Sequence, residues 1–384
     1  MTHPKLINLA KTLTITAMTA IALCSYADRK PLANRVAVFT PGEYGSKFYR
    51  IPAIATANDG TLIAVADKRI ESISDLPGRI DIVSRISHDN GLSWEEYVTV
   101  AQNDSIGGYG DPGIVVDRHS GDIIVTCTHG NGTFQSSPGH ITVIRSHDNG
   151  KTWCEPVDIS DQILTTDPNG LQPIKCVSAF ATSGASLQLR DGRLMFVLVT
   201  RQERIEGFKC YAIYSDDGGY NWQVSSNPAT CNGDESKVVE LADGTLMMSI
   251  RNRYQGPRRF SYSHDRGATW SEPIENEALR DPACNGDIIR YDRDGYDLVI
   301  QSLPGSPTQR VDVTLYASND QGQTWSHNRV VAPYASAYSS MTILPDGTIG
   351  CLIEEGVFGP TGDFEGYNIA FTAVDVRDIV SGEK

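Results

Sequence analysis

Helical periodicity of useful length is missing from this chain outside its N-terminal segment, which removes helical bundles from consideration. No Ser/Gly-rich linker and no low-complexity tract divides the 384 residues. One domain with a substantial core is therefore predicted for residues 28–384. Cys-x-x-Cys pairs and Cys/His clusters are also lacking, so zinc is not expected. Basic residues are in the minority: 33 Lys and Arg stand against 47 Asp and Glu, a formal charge of −14. That balance argues against nucleic acid or an anionic membrane as partner. An anionic ligand would have to be drawn in by a local cationic pocket, against the overall field.

Long apolar runs are likewise scarce. The one near the N-terminus, from about Leu13 to Leu23, is short for a membrane span. Lys5 and Lys11 precede it, and Ser25 and Ala27 follow at the spacing of an export cleavage site. Residues 1–27 are predicted to be a signal peptide, with cleavage near Ala27 and a mature protein that is secreted or periplasmic. Lipid attachment at Cys24 is the alternative, although Leu23 is a poor small-residue neighbour for it. Removing residues up to Ala27 takes two lysines and no acids, so the mature charge is 31 − 47 = −16. Of eight cysteines, seven remain after Cys24, an odd number that cannot all pair within one chain. Cys127 and Cys351 lie in apolar strand runs and read as buried small residues. Spacing leaves the connectivity of the rest open.

What the chain does have is a repeat. All five tryptophans close the same phrase, Ser-x-Asp-x-Gly-x-x-Trp, at Ser87–Trp94, Ser146–Trp153, Ser215–Trp222, Ser263–Trp270 and Ser318–Trp325. The starts are 59, 69, 48 and 55 residues apart. Self-similarity at that spacing means a supersecondary unit that must stack on its neighbours to bury an apolar face. Ser and Asp can accept from nearby backbone N–H groups, Gly allows a positive φ, and Trp is a plate to pack over the turn. Short β-rich runs such as Ile141–Ile144 and Val311–Tyr316 precede the phrase. A second phrase, Asp-Gly between apolar runs, recurs at Asp59-Gly60, Asp191-Gly192, Asp243-Gly244 and Asp346-Gly347 and signals a hairpin. Two hairpins per unit make four strands, which predicts an all-β propeller. The repeated Asp is assigned to structure, since one active site would not need five copies. The cluster Asp292, Asp294, Gly295 and Asp297 does not match a calcium loop and reads as a polar hairpin tip.

A propeller brings distant residues to one axis, so the informative residues are those that fall outside the repeat. Arg50, Arg251 and Arg310 each adjoin an apolar strand run. A buried guanidinium is costly without a partner. One alone would be read as an ordinary ion pair; three in one propeller suggest a shared anion site, because Arg forks grip carboxylates.

These features together resemble the bacterial secreted sialidase (exo-α-neuraminidase) family, six-bladed propellers of four-stranded antiparallel blades with Asp boxes. Tyr49-Arg50-Ile51-Pro52 resembles the family's Arg-Ile-Pro motif, with Tyr where Phe is more usual, and the five phrases match the Asp boxes. The resemblance extends from about Val36 to the C-terminus. By position it implies that Ala66-Asp67-Lys68-Arg69 and Ser74-Asp75 supply a pocket arginine, Arg69, and the general acid/base, Asp75. Gly110-Asp111-Pro112 would contact the amide-bearing side of the substrate through Asp111. Asp234-Glu235-Ser236 would supply Glu235, the partner of the nucleophile, and Ala337-Tyr338-Ser339-Ser340 the nucleophile Tyr338. In Gly350–Glu354, Glu354 in preference to the adjacent Glu355 would orient Arg50.

The activity so implied is retaining hydrolysis of terminal α-linked sialic acid, on sialylated glycans, by a monomer without cofactor or metal. The chemistry has a physical reason. A carboxylate nucleophile would approach a centre that already bears a carboxylate, whereas a neutral phenol avoids that repulsion. With a pKa of about 10, a phenol needs a neighbouring base to take its proton as the bond forms. Arg50, Arg251 and Arg310 would hold the substrate carboxylate. Segments around Phe134 and Phe180 are candidates for the N-acyl pocket. A trans-sialidase or intramolecular trans-sialidase would use the same set. A non-catalytic sialic-acid-binding propeller would be expected to lack Tyr338, Glu235 or Asp75, and a purely structural propeller leaves the three arginines unexplained.

Overall fold

A computed structural model describes residues 35–131, 139–165, 174–201 and 207–381. The predicted signal segment and Phe134 lie outside the described residues. The chain folds as a six-bladed β-propeller, and apart from a short parallel bridge of Gly184–Ala185 to Gly113–Ile114 each blade is an antiparallel sheet. Blade 1 contains Phe48–Thr56, Leu62–Arg69, Ile80–Ser87 and Val98–Ala101. Blade 2 contains Gly108–Val116, Ile123–Gly130, His140–Ser146 and Val157–Asp158. Blade 3 is less regular: its innermost position is shared by Ser178–Ala181 and Leu187–Gln188, which both pair with Leu194–Arg201. Blade 4 contains Ser236–Glu240, Leu246–Ile250, Gly256–Ser263 and Ile274–Asp281.

The last two blades share one long strand, His327–Ile343. Its first half pairs with Val311–Ser318 as the outer strand of blade 5, and its second half pairs with Ile349–Phe358 as the inner strand of blade 6. Val36–Phe39, which precedes blade 1 in sequence, is the outermost strand of blade 6 and pairs with Phe364–Val374. The ends of the chain are thus tied by a sheet ladder.

The five Asp boxes act in structure as expected. In the first, Asp89 accepts from the backbone N–H and hydroxyl of Ser93 at 2.9 and 2.6 Å, and the Ser87 hydroxyl accepts from the N–H of Gly91 at 2.9 Å. The hydrogen bonds from Ser93 pull the Asp89 carboxyl below its ordinary range. The same pattern recurs around Asp148, Asp217, Asp265 and Asp320. Two consecutive residues take positive φ in each box, for example Asn90 at 57° and Gly91 at 85°, so the fourth position as well as the glycine enters the left-handed region.

Each tryptophan packs between its own blade and the preceding one. Trp94 of blade 1 meets Phe371 of blade 6 at a ring separation of 5.6 Å, and Trp325 of blade 5 stacks on Phe260 of blade 4 at 6.0 Å. Blade 6 has no box. Its gap to blade 5 is filled by a short helix, Val376–Val380, whose Val376 and Ile379 are buried against Leu315 and Cys351. The spacing of the five boxes therefore corresponds to five of the six inter-blade seams.

The seven cysteines among the described residues are unpaired, and Cys127, Cys210, Cys284 and Cys351 are buried. Asp292 and Asp297 pair with Arg290, and Asp294 accepts from the Tyr291 hydroxyl. This accounts for that acidic tip without a cation. Among the described residues, no helix is long and apolar enough to cross a membrane.

Candidate active site

The direction of the strands decides where chemistry can sit. In blades 1, 4 and 5 an Asp-Gly turn leads from the innermost strand to the second, and the Asp box follows the third; both lie on one face of the disc. The opposite face carries the first residues of innermost strands and the last residues of second strands. Arg50, Asp111, Glu235 and Tyr338 lie at or next to the former, and Arg69, Arg251 and Glu354 at or next to the latter. The predicted residues share an edge because they hold equivalent places in different repeats.

Local backbone irregularity aims them. Strand register slips between Arg50 and Ala53, between Gly110 and Gly113, and between Ser336 and Ser339. Ile51 has φ 60° and Asp111 has φ 59°, a region costly for both, and for β-branched Ile51 above all. A bulge of this kind turns a side chain out of the pleat. Here the bulges point Arg50, Asp111 and Tyr338 into the mouth of the central channel. There they line a cavity of about 220 Å³ together with Asp75, Phe180, Phe208, Asp234, Glu235, Arg251 and Arg310.

Tyr338 is the centre of this site. Its hydroxyl donates to Glu235 Oε2 at 2.6 Å and accepts from Arg251 Nη1 at 2.8 Å. Arg251 also donates to Glu235. The guanidinium carbons of Arg50, Arg251 and Arg310 lie 5.2, 5.8 and 5.5 Å from the Tyr338 ring centroid. Burial raises the phenol pKa well above its ordinary value despite these cations, so the group is neutral at any physiological pH.

The three arginines are not equivalent. Arg50 forms a fork with Glu354, at 2.6 and 3.1 Å. Arg251 is paired with Glu235. Arg310 donates to the carbonyl of Ala283 at 2.8 Å and, among the described residues, has no carboxylate partner. An uncompensated guanidinium in a small cavity is the point at which an external carboxylate gains most.

Glu354 is fully buried and ties blade 6 to blade 1. Besides gripping Arg50 it accepts from the backbone N–H of Ile51 at 2.9 Å and of Tyr338 at 3.2 Å. Burial opposes its ionisation, but Arg50 and the two N–H donors outweigh that and hold its carboxyl below the ordinary value. The adjacent Glu355 faces away and pairs with Arg35.

On the far rim Asp75 is 55% exposed and is held by Arg69 Nη2 at 2.8 Å. Arg69 itself is fully buried and does not line the cavity, so it stands behind Asp75 and not in the pocket. Its second carboxylate is Asp67, at 2.9 Å, which sequence reasoning quoted but gave no role. Asp67 also accepts from the N–H of Asp111 at 3.1 Å and so positions both rim acids. Strand alternation was the available signal, since Asp67 and Arg69 share a face of Leu62–Arg69. Burial, then the neighbouring acids Asp67 and Asp75, push the Asp111 carboxyl well up. Phe180 lines the cavity beside Phe208, which the sequence did not single out.

A larger cavity, about 710 Å³, opens on the opposite face among the Asp-Gly turns. None of the predicted site residues lines it, and the concentration of paired acids, arginines and phenol is at the smaller one.

Comparison with known proteins agrees with the fold. Residues 55–351 match a model described as a BNR repeat-like domain. The chain is 33% identical over 351 residues to a sialidase of Micromonospora viridifaciens, covering 85% of this chain and 53% of that protein. It is 30% identical over 374 residues to a sialidase of Bacteroides fragilis, covering 90% of this chain and 65% of that protein. Among solved structures it superposes on the Hadza microbial sialidase Hz136 with a TM-score of 0.78 at 30% identity, covering 90% of this chain and 69% of that one.

The chain belongs to the sialidase family.

It spans about half to two-thirds of the length of the curated sialidases it matches. The match covers the blades that carry Arg69, Asp75, Asp111, Glu235, Arg251, Arg310 and Tyr338, all within residues 55–351. Arg50 and Glu354 lie just outside it, in strands that begin or end within it.

Proposed function

We propose that this chain is a retaining exo-sialidase that hydrolyses terminal α-linked sialic acid from glycoconjugates through a tyrosyl-enzyme intermediate. The observation that carries the reading is the Tyr338 hydroxyl, donated to Glu235 and surrounded by three guanidiniums. Arg310, with Arg50 and Arg251, holds the sugar carboxylate and sets the anomeric carbon over the phenol oxygen. As that oxygen bonds to the anomeric carbon, its proton passes to Glu235 and the glycosidic bond breaks. The departing oxygen takes a proton from Asp75, which is exposed on the rim where an aglycone would leave. In the second step water attacks the same carbon, Asp75 accepts its proton, and the phenoxide leaves and recovers its proton from Glu235. Two displacements give retention.

A neutral nucleophile is the arrangement burial favours here. Ionising Tyr338 ahead of attack would place an anion beside Glu235 in a poorly solvated pocket. Transfer of the proton during attack avoids that state. The chain acts as a monomer outside the cytosol on this reading. Turnover of an aryl sialoside by the wild-type chain, with NMR of the first-formed product, is the test. Free α-sialic acid supports the reading; a β-anomer, an anhydro product or a new sialoside would replace it with inversion or transfer.

A further inference from the structure

Behind Glu235 lies a second chain of polar groups, entirely buried, that the reaction scheme leaves unused. Glu235 Oε2 faces Tyr338 and Arg251, and its other oxygen accepts from the Ser183 hydroxyl at 3.1 Å. Ser183 in turn accepts from Asn285 Nδ2 at 3.0 Å, and Asn285 Oδ1 accepts from the ammonium of Lys237 at 3.2 Å. The residues come from three blades: Ser183 from blade 3, Lys237 from blade 4 and Asn285 from the entry to blade 5. A lysine 3% exposed in the middle of a propeller is expensive and calls for a reason.

The donors have one consistent direction. An ammonium can only donate, so Asn285 must turn its carbonyl to Lys237 and its amide to Ser183. Ser183, accepting there, has its own proton left for Glu235. Every bond in the relay therefore points at the Glu235 carboxylate, and each polarises the next. Asp287, pushed up to about 6 by burial, lies near enough to Lys237 to be its counter-charge and is itself anchored by the N–H of Met341 at 2.7 Å.

We propose that Lys237, through Asn285 and Ser183, is a positioning residue that holds the Glu235 carboxyl oriented to receive the Tyr338 proton. The inference rests on the reading of Glu235 as proton acceptor. The other charged groups facing Glu235 are Arg251 and Asp234 beside it and Asp111 across the cavity; those facing Lys237 are Asp287, Arg258 and Arg251. The relay acts on top of these.

The test compares Ser183→Ala, Lys237→Met and the double variant on an aryl sialoside. Ser183→Ala should lower kcat about tenfold, the size of one lost hydrogen bond to a charged acceptor, with KM within about twofold. Ser183→Thr, which keeps the hydroxyl, should restore kcat. The double variant should be no worse than the more damaging single one, since both cut the same chain. A Ser183→Ala enzyme with wild-type kcat overturns the relay even if Lys237→Met fails to fold, and so do losses that multiply in the double variant. Neither result touches the roles of Tyr338 and Glu235, which are tested separately by substituting Tyr338.

Discussion

The Tyr338 hydroxyl lies 2.6 Å from Glu235 Oε2, although 103 residues separate the two in sequence. Blades 4 and 6 supply one residue each, and Arg251 bridges both by donating to the phenol and to the carboxylate. In the proposed mechanism, a base already hydrogen-bonded to the nucleophile lowers the barrier without creating a buried phenoxide in the resting site.

Replacement of Tyr338 by Phe removes one oxygen and leaves the ring under the three arginines. Turnover of an aryl sialoside should fall by about three orders of magnitude or more, while an unsaturated sialic acid analogue still binds. Stability should change by only about 1 kcal/mol, the net value of one buried hydrogen bond. Steady-state kinetics with calorimetric binding decides it, and wild-type turnover in the variant would remove Tyr338 as nucleophile.

Among the described residues, Arg310 has no carboxylate partner. Arg310→Ala should weaken binding of the same analogue by about ten- to a hundredfold, from the loss of charged hydrogen bonds worth about 1.5–3 kcal/mol. Undiminished affinity by titration calorimetry would take Arg310 out of the carboxylate clamp.

Glu354→Gln strands the Arg50 guanidinium and weakens two backbone anchors across the seam between blades 6 and 1. Breaking one side of a buried ion pair typically costs about 3–5 kcal/mol. Denaturant unfolding should show a loss of that order, much larger than for Glu355→Gln, whose partner Arg35 lies away from the site. Equal stabilities would contradict the structural role of Glu354.

As the proposed general acid, Asp75 should matter most where the leaving group is poor. Asp75→Ala should depress hydrolysis of a sialyl-galactoside far more than that of an activated aryl sialoside, whose leaving oxygen needs little protonation. Comparable losses on both substrates, measured as kcat/KM, would place the acid elsewhere.

Stability should respond to pH through Asp67 and Asp287. Burial pushes both carboxyls up to about 6, whereas the unfolded chain titrates near 4. Between those values the native state binds more protons than the unfolded state, so stability falls as pH rises through that window. Thermal unfolding should therefore occur at a higher temperature near pH 5 than at pH 7, as long as carboxylates with lowered values, such as Glu354, remain ionised. A Tm that rises steadily from pH 5 to pH 7 would contradict this.

Much of the architecture was legible because it repeats. Five tryptophans in one frame announced stacked sheets, and Asp-Gly turns announced hairpins. The sixth seam was not legible, because Val376–Val380 fills it in place of a tryptophan. Glu354 could be preferred to Glu355 on resemblance, but the burial and the fork with Arg50 that explain the preference are tertiary facts. Arg69 was expected in the pocket and lies behind it, fully buried, while Asp75 and Asp111 line the cavity. Phe208 and the Ser183–Asn285–Lys237 relay carried no signal of their own: along the sequence such a residue looks the same whether its partner is solvent or a neighbouring blade.

By itself, then, the order of amino acids determined the repeating unit, the sign of the net charge and which residue types depart from the repeat, all properties that depend on near neighbours along the chain. Only the packing of the blades decided which departures meet, how far Tyr338 lies from Glu235 and which of the three arginines has no carboxylate partner among the described residues. Those are set by distances between residues up to 304 positions apart, as for Arg50 and Glu354, and by the desolvation that follows when such residues are pressed together.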